Sequence, residues 1–255
     1  MVKSQDIAAG AQQLGLANLP VCVHSSLRSF GWVEGGADAV IDGLLAAGCT
    51  LLAPTFSLMY ALSGPDEVGP VYTPDTPEMN VGLGAIPVAL LRRPERVRSR
   101  HPLNSSSAVG PLAERLAGAD VSDALYASFE ALLALGGWVL LIGVPLRNMT
   151  LIHLAEQKAG RPLVDKWAMA ADGHPRPVRV GGCGRGFPQL EPWLGPLARE
   201  TFVGASRWRA FPAAETVAAA AAAIRAKPDV THCGRESCEY CNATLRDQLA
   251  GPAAK

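Results

Sequence analysis

Val21-Cys22-Val23-His24-Ser25-Ser26-Leu27-Arg28-Ser29-Phe30-Gly31-Trp32-Val33-Glu34-Gly35-Gly36 opens on a short apolar run and passes at once into hydroxyls. Consecutive apolar residues of this kind read as a buried strand, and the strand delivers a serine-rich turn. After Gly35-Gly36, residues 37–47 repeat apolar positions at helical spacing, and Thr50-Leu51-Leu52-Ala53-Pro54 reads as a second buried strand. Strand, turn, helix, strand is the unit of α/β architecture, so the expectation is a single-domain layered α/β fold.

Outward from this unit the punctuation continues. Residues 7–14 have helical spacing and stop at Gly15. Residues 57–81 are rich in Pro, Gly, Asp and Thr without periodicity, which predicts a long loop, and long loops inside domains usually cover a site. Short helices are expected over 84–91, 112–116 and 129–135. Gly136-Gly137 then breaks the chain before the apolar strand Trp138 to Ile142, and a helix follows over 151–158. Residues 173–186 hold five glycines and two prolines and read as turn-rich and strand-bearing. One helix, 213–224, precedes a polar tail, so the chain divides into a main domain over 1–228 and a Cys-rich tail over 229–255. No internal repeat of 20 to 50 residues appears.

Composition narrows the function classes. At 255 residues and 49% hydrophobic, the chain can bury a large core. Lys plus Arg and Asp plus Glu both number 23, so no net field draws the molecule to nucleic acid or to an anionic membrane. No apolar stretch has signal-peptide or membrane-spanning length, which gives a cytoplasmic expectation. The six cysteines do not form a disulfide framework of the kind that staples a small secreted domain.

Four stretches carry chemistry. The turn from His24 to Gly31, with Ser25, Ser26, Ser29 and Arg28 ahead of a helix N-terminus, can hold phosphate oxygens, although a capped, solvated turn has the same composition. Arg98-Ser99-Arg100-His101-Pro102 sets an imidazole after two arginines and ahead of a polar run, and those cations would attract phosphate and favour neutral His101; a histidine capping its own turn fits as well. In Thr150-Leu151-Ile152-His153-Leu154-Ala155-Glu156 the carboxylate lies three positions after the imidazole on one helix face, an arrangement suited to a general base or to an ordinary surface pair. His232-Cys233-x4-Cys238-x2-Cys241 offers zinc ligands, with His174 or Cys183 available to complete the set; the bland alternative is a reduced tail. Walker, Gly-x-Ser-x-Gly, dinucleotide and His-Glu-x-x-His motifs are all missing.

In chain order, His24-Ser25-Ser26-Leu27 to Gly36, Thr76 to Gly82, Arg98 to Pro111, Gly136 to Val144 and Leu151 to Glu156 resemble the aminoglycoside 3-N-acetyltransferase family, over roughly residues 5–190. The resemblance implies an α/β fold distinct from the common N-acetyltransferase superfamily, acetyl-coenzyme A as donor, and transfer to the 3-amino group of a 2-deoxystreptamine aminoglycoside, giving antibiotic resistance. It implies that His24, Ser25, Ser26, Leu27, Arg28, Ser29, Phe30 and Gly31 cradle coenzyme A. Ser105 and Ser106 match hydroxyl positions after the His-Pro pair and are expected with the coenzyme A-binding residues, and amides or hydroxyls near Ser105 would stabilise the oxyanion. His153 with Glu156 matches the general base, and His101 remains the other candidate base.

A polycationic antibiotic calls for an acidic pocket, expected from Asp66, Glu67, Asp75, Glu78 and Asp172. One departure stands out: Val178 to Phe187 carries Arg179 and Arg185 and no carboxylate, where relatives often place one. Acetylation of another amine, or a non-catalytic coenzyme A or metal-binding module, are the competing readings, and a homodimer is held open.

Overall fold

The structure, a computed structural model, describes residues 1–121 and 123–250, so the last five residues of the Cys-rich tail lie outside the described residues. In chain order the elements are α1 (Ser4–Gln13), β1 (Pro20–Ser25), α2 (Gly36–Ala46), β2 (Thr50–Pro54), α3 (Ala85–Leu91), β3 (Val97–Arg98), β4 (Ser106–Val109), α4 (Ala113–Ala117), α5 (Ala127–Ala134) and β5 (Trp138–Ile142). There follow α6 (Leu151–Lys158), β6 (Val164–Met169), β7 (Pro175–Val180), α7 (Glu191–Leu194), β8 (Arg199–Val203), β9 (Ser206–Pro212), α8 (Ala213–Ala226) and α9 (Glu239–Ala250).

Seven strands form one sheet in the order β3-β4-β2-β1-β5-β9-β8. The centre is parallel, β1 pairing with both β2 and β5, and antiparallel strands extend it on each side. Parallel strands covered on both faces read as near-continuous apolar runs, which is why Val21 to Val23, Leu51 to Ala53 and Trp138 to Ile142 show no polar alternation. Alternate side chains then serve two cores. Cys22, Leu52, Val139 and Leu141 join the helices α4, α5, α6 and α8 on one face. Val21, Val23, Leu51, Leu140 and Ile142 join α1 and α2 on the other. The layered α/β expectation therefore holds.

The alanine-rich α8 buries Ala220, Ala221 and Ala223, whose small side chains let it lie close against the sheet-facing helices. A separate hairpin, β6 with β7, bridges to Leu62 and Val71 and so backs the long loop over 57–81. The expected polar tail is instead largely helical: α9 buries Cys241 and Thr244. Among the described residues no helix is long and apolar enough to cross a membrane.

Candidate active site

The carboxyl ends of β1, β2 and β5 point the same way, and a cleft of about 1630 Å³ opens beyond them. Such ends gather ligand sites in open α/β sheets because the connections there splay apart. The volume exceeds that of a single drug-sized pocket and suits two substrates side by side.

One side is the turn that the opening motif delivers. His24, Ser25, Ser26, Leu27, Arg28 and Gly31 line the cleft, whereas Ser29 and Phe30 do not. Ser29 Oγ turns to Ser206 Oγ at 2.7 Å, and Phe30 packs edge-on against Trp208 in the core. Gly35 and Gly36 take φ of 78° and 62°, a left-handed turn that few other residues adopt, and this swings the N-terminus of α2 onto the cleft. Burial pushes the His24 imidazole down to about 4, so it is neutral at pH 7.

The facing side comes from Phe56 just ahead of the long loop, from the loop's end at Met79, Asn80 and Val81, and from the start of α3. The third side follows β5: Arg147, Asn148, Thr150 and His153. Arg28, Arg92 and Arg147 are exposed along the cleft and have no acidic partner among the described residues. Asp38 is the lone carboxylate in the described lining, and it sits 3.2 Å from Arg93.

His153 Nδ1 lies 2.7 Å from Glu156 Oε2, and its ring meets Phe187 edge-on at 4.7 Å between centroids. Glu156 is buried. Thr231 donates to its Oε1 at 2.6 Å, and Arg161 also donates to that oxygen. Burial opposes the charge on Glu156, but the bonds from His153, Arg161 and Thr231 outweigh it and hold the carboxyl below its ordinary range. An ionised Glu156 accepts the hydrogen bond of a protonated Nδ1, which leaves Nε2 as the free base of the ring. Among the described residues Nε2 has no hydrogen-bond partner.

Other expected site residues are placed elsewhere. His101 is buried behind the long loop: Nδ1 accepts the Leu103 and Asn104 amides, and Nε2 donates to the Arg179 carbonyl. Its lowered pKa comes from burial and not from the flanking arginines. Arg98 is likewise buried and donates to Ser105 Oγ and to the carbonyls of Thr55, Thr76 and Glu78, so it organises the loop and is not free for phosphate. Ser105 bonds to Ser57 and Arg98, and Ser106 to Ser99; neither lines the cleft. Asp66, Glu67, Asp75, Glu78 and Asp172 are also outside the lining. Glu67 accepts the Ser63 amide, and Asp172 pairs with Arg176.

The sulfurs of Cys233, Cys238 and Cys241 meet that of Cys183. His232 was expected with them and is not: its Nε2 faces Asn242 Oδ1 at 2.9 Å and its Nδ1 accepts the Gly234 amide, which turns the ring away. His174 stays in the exposed β6–β7 turn. The sequence reading overlooked Arg92, Arg147, Arg161 and Thr231. Arg161 lies past the end of α6, where helical spacing gives no signal of the contact with Glu156.

A family model described as aminoglycoside 3-N-acetyltransferase matches residues 22–225. Aminoglycoside N(3)-acetyltransferase VIII of Streptomyces fradiae is 36% identical over 179 residues, 64% of this chain and 61% of that protein. The chain thus spans about three-fifths of the length of the curated relatives it matches. Among solved structures, aminoglycoside acetyltransferase AAC(3)-IVa, as a histidine-to-alanine mutant in complex with a gentamicin, superposes with a TM-score of 0.81 at 26% identity, covering 96% of this chain and 97% of that one. Aminoglycoside acetyltransferase AAC(3)-Xa gives 0.75 at 30% identity, covering 88% and 93%.

Proposed function

The chain belongs to the aminoglycoside 3-N-acetyltransferase family, and on that premise we propose that it moves an acetyl group from acetyl-coenzyme A to the 3-amino group of a 2-deoxystreptamine aminoglycoside. The observation that carries this reading is the His153–Glu156 pair on the cleft, with Nδ1 to Oε2 at 2.7 Å. An amine attacking a thioester must lose a proton, and an oriented neutral imidazole takes it at Nε2. The new C–N bond forms as the C–S bond breaks, and the proton passes from His153 to the departing thiolate. No protein nucleophile is needed.

Arg28 and Arg92, with the N-terminus of α2, offer the donor phosphates charge and amides. The reading carries a cytoplasmic location, where acetyl-coenzyme A is supplied and six thiols stay reduced. Acetylation would remove one ammonium from the antibiotic and so confer resistance.

A second reading, the same transfer to a less cationic amine, is favoured by the charge of the cleft. Among the described residues, three arginines without an acidic partner and one carboxylate line it, and the carboxylates expected from the long loop lie outside it. Purified protein with acetyl-coenzyme A and a panel of aminoglycosides, followed by free-thiol release for wild type and His153→Ala, tests both. Release on the antibiotics that disappears in the variant, with donor binding kept, supports the first reading. Release on simpler amines alone moves the conclusion to the second, and silence on every amine sinks both.

A further inference from the structure

We infer that Cys183, Cys233, Cys238 and Cys241 form a tetrahedral zinc site that clamps the C-terminal segment onto the loop beside His153. The four sulfurs all lie within 4.8 Å of one another. Four thiolates at about 2.3 Å from one zinc would stand about 3.8 Å apart, and the cluster needs only slight contraction to reach that. They come from two segments some fifty residues apart, and such segments have no packing reason to converge four thiols. An all-sulfur tetrahedral set selects zinc or iron, and a redox-inert ion suits a structural joint.

The backbone around the cluster is prepared for anionic sulfur. Cys183-Gly184-Arg185 and Cys233-Gly234-Arg235 are the same tripeptide. In each, the arginine amide two residues on lies beside the cysteine sulfur. Amides directed at thiolates disperse their charge and fix their orientation, as partners beyond a metal's own ligands do. The two segments also touch directly. A side chain at Gly186 would strike the Thr231 carbonyl, and Gln189 Nε2 donates to the His232 carbonyl at 2.9 Å.

The clamp has a position that bears on the cleft. Gly182 and Gly184 line the cleft one residue either side of Cys183. Gly181 leaves no room for a side chain between Tyr126 and His153, and Tyr240, between the last two cysteines, covers Gly182. From the same C-terminal segment, Thr231 and Gln248 hold Arg161, which holds Glu156. Zinc would therefore fix both the loop beside the imidazole and the network behind it.

The test is independent of acetyl transfer. Metal analysis of the wild-type protein as isolated should give about one zinc per chain, and mercurial titration should release it with four thiols. X-ray absorption should show a sulfur-only shell at about 2.3 Å. Cys183→Ser should cut the zinc content several-fold, and His232→Ala should retain it. Wild-type protein isolated without zinc that takes up neither zinc nor Co(II), a nitrogen in the shell, or iron as the resident metal would each overturn the assignment, even if Cys183→Ser failed to fold.

Discussion

Glu156 gives one carboxylate oxygen to Nδ1 of His153, at 2.7 Å, and the other to Arg161 and Thr231, so a single buried charge orients the base and neutralises a buried cation. Glu156→Gln keeps the shape and removes the charge. Arg161 would then remain buried against carbonyl and hydroxyl oxygens alone, a situation that costs about 3–5 kcal/mol. Urea unfolding at pH 7 should show that loss. The transfer rate should fall while calorimetric donor binding stays. Because the Glu156 carboxyl is held below its ordinary range, its contribution is whole at neutral pH and is lost only as pH falls through that depressed value. A variant as stable and active as wild type would mean that the pair orients nothing.

What the sequence made legible follows from how each element is buried. β1, β2 and β5 are covered on both faces and carry apolar runs, Val21 to Val23, Leu51 to Ala53 and Trp138 to Ile142, so those runs announced them. β9 alternates Arg207, Trp208 and Arg209, and β8 pairs its Glu200 with Arg207, so these flanking strands show no apolar run in sequence. β4 buries serines, Ser107 bonding Thr55 across the sheet, and a buried hydroxyl looks polar in sequence. α9 hides its packed face because that face includes Cys241 and Thr244. The His153–Glu156 pair was visible because its partners share one helix. Arg161 and Thr231 reach it from other segments, and that convergence exists only in three dimensions. Ser105 and His101 carried a persuasive local pattern, yet the loop they support lies between them and the cleft.

Acid should weaken the fold well above the carboxylate range. His24 is buried, with its pKa down to about 4 from 6.5, so between those values the unfolded chain binds a proton that the native chain does not. Stability then falls as pH drops from about 6.5 towards 4, by about 2 kcal/mol at pH 5. Burial of His101 acts in the same direction. Urea unfolding at pH 7 and pH 5 should show the slope in wild type and a flatter one in His24→Gln. Equal slopes would rule out the buried imidazole as the cause.

Arg98 should not tolerate lysine. Its fork reaches Ser105 Oγ at 3.1 Å, the Thr55 carbonyl at 2.6 Å and the Glu78 carbonyl at 2.9 Å, as well as the Thr76 carbonyl, and an ammonium cannot span that set. Arg98→Lys leaves buried carbonyls unpaired, at about 1–3 kcal/mol each. The expected result is faster proteolytic nicking within residues 57–81, slowed by added acetyl-coenzyme A, since Phe56, Met79 and Asn80 line the cleft. Unchanged nicking would show that the loop is held from elsewhere.

The exposed arginines of the cleft should act on the donor alone. If Arg28 and Arg92 meet phosphates, each Ala variant removes a charge-assisted bond worth up to about 1.5–3 kcal/mol, reduced by its exposure to water. The KM for acetyl-coenzyme A should rise about 3- to 10-fold, with kcat at saturating donor unchanged and the penalty shrinking as salt is added. A truncated donor, acetyl-pantetheine, has no phosphate to lose. Wild type and the Arg28→Ala and Arg92→Ala variants should therefore use it equally well. A defect that persisted with the truncated donor would place these side chains against the amine or the protein itself. The positive lining would then count against a polycationic acceptor, since nothing would remain for those charges to neutralise.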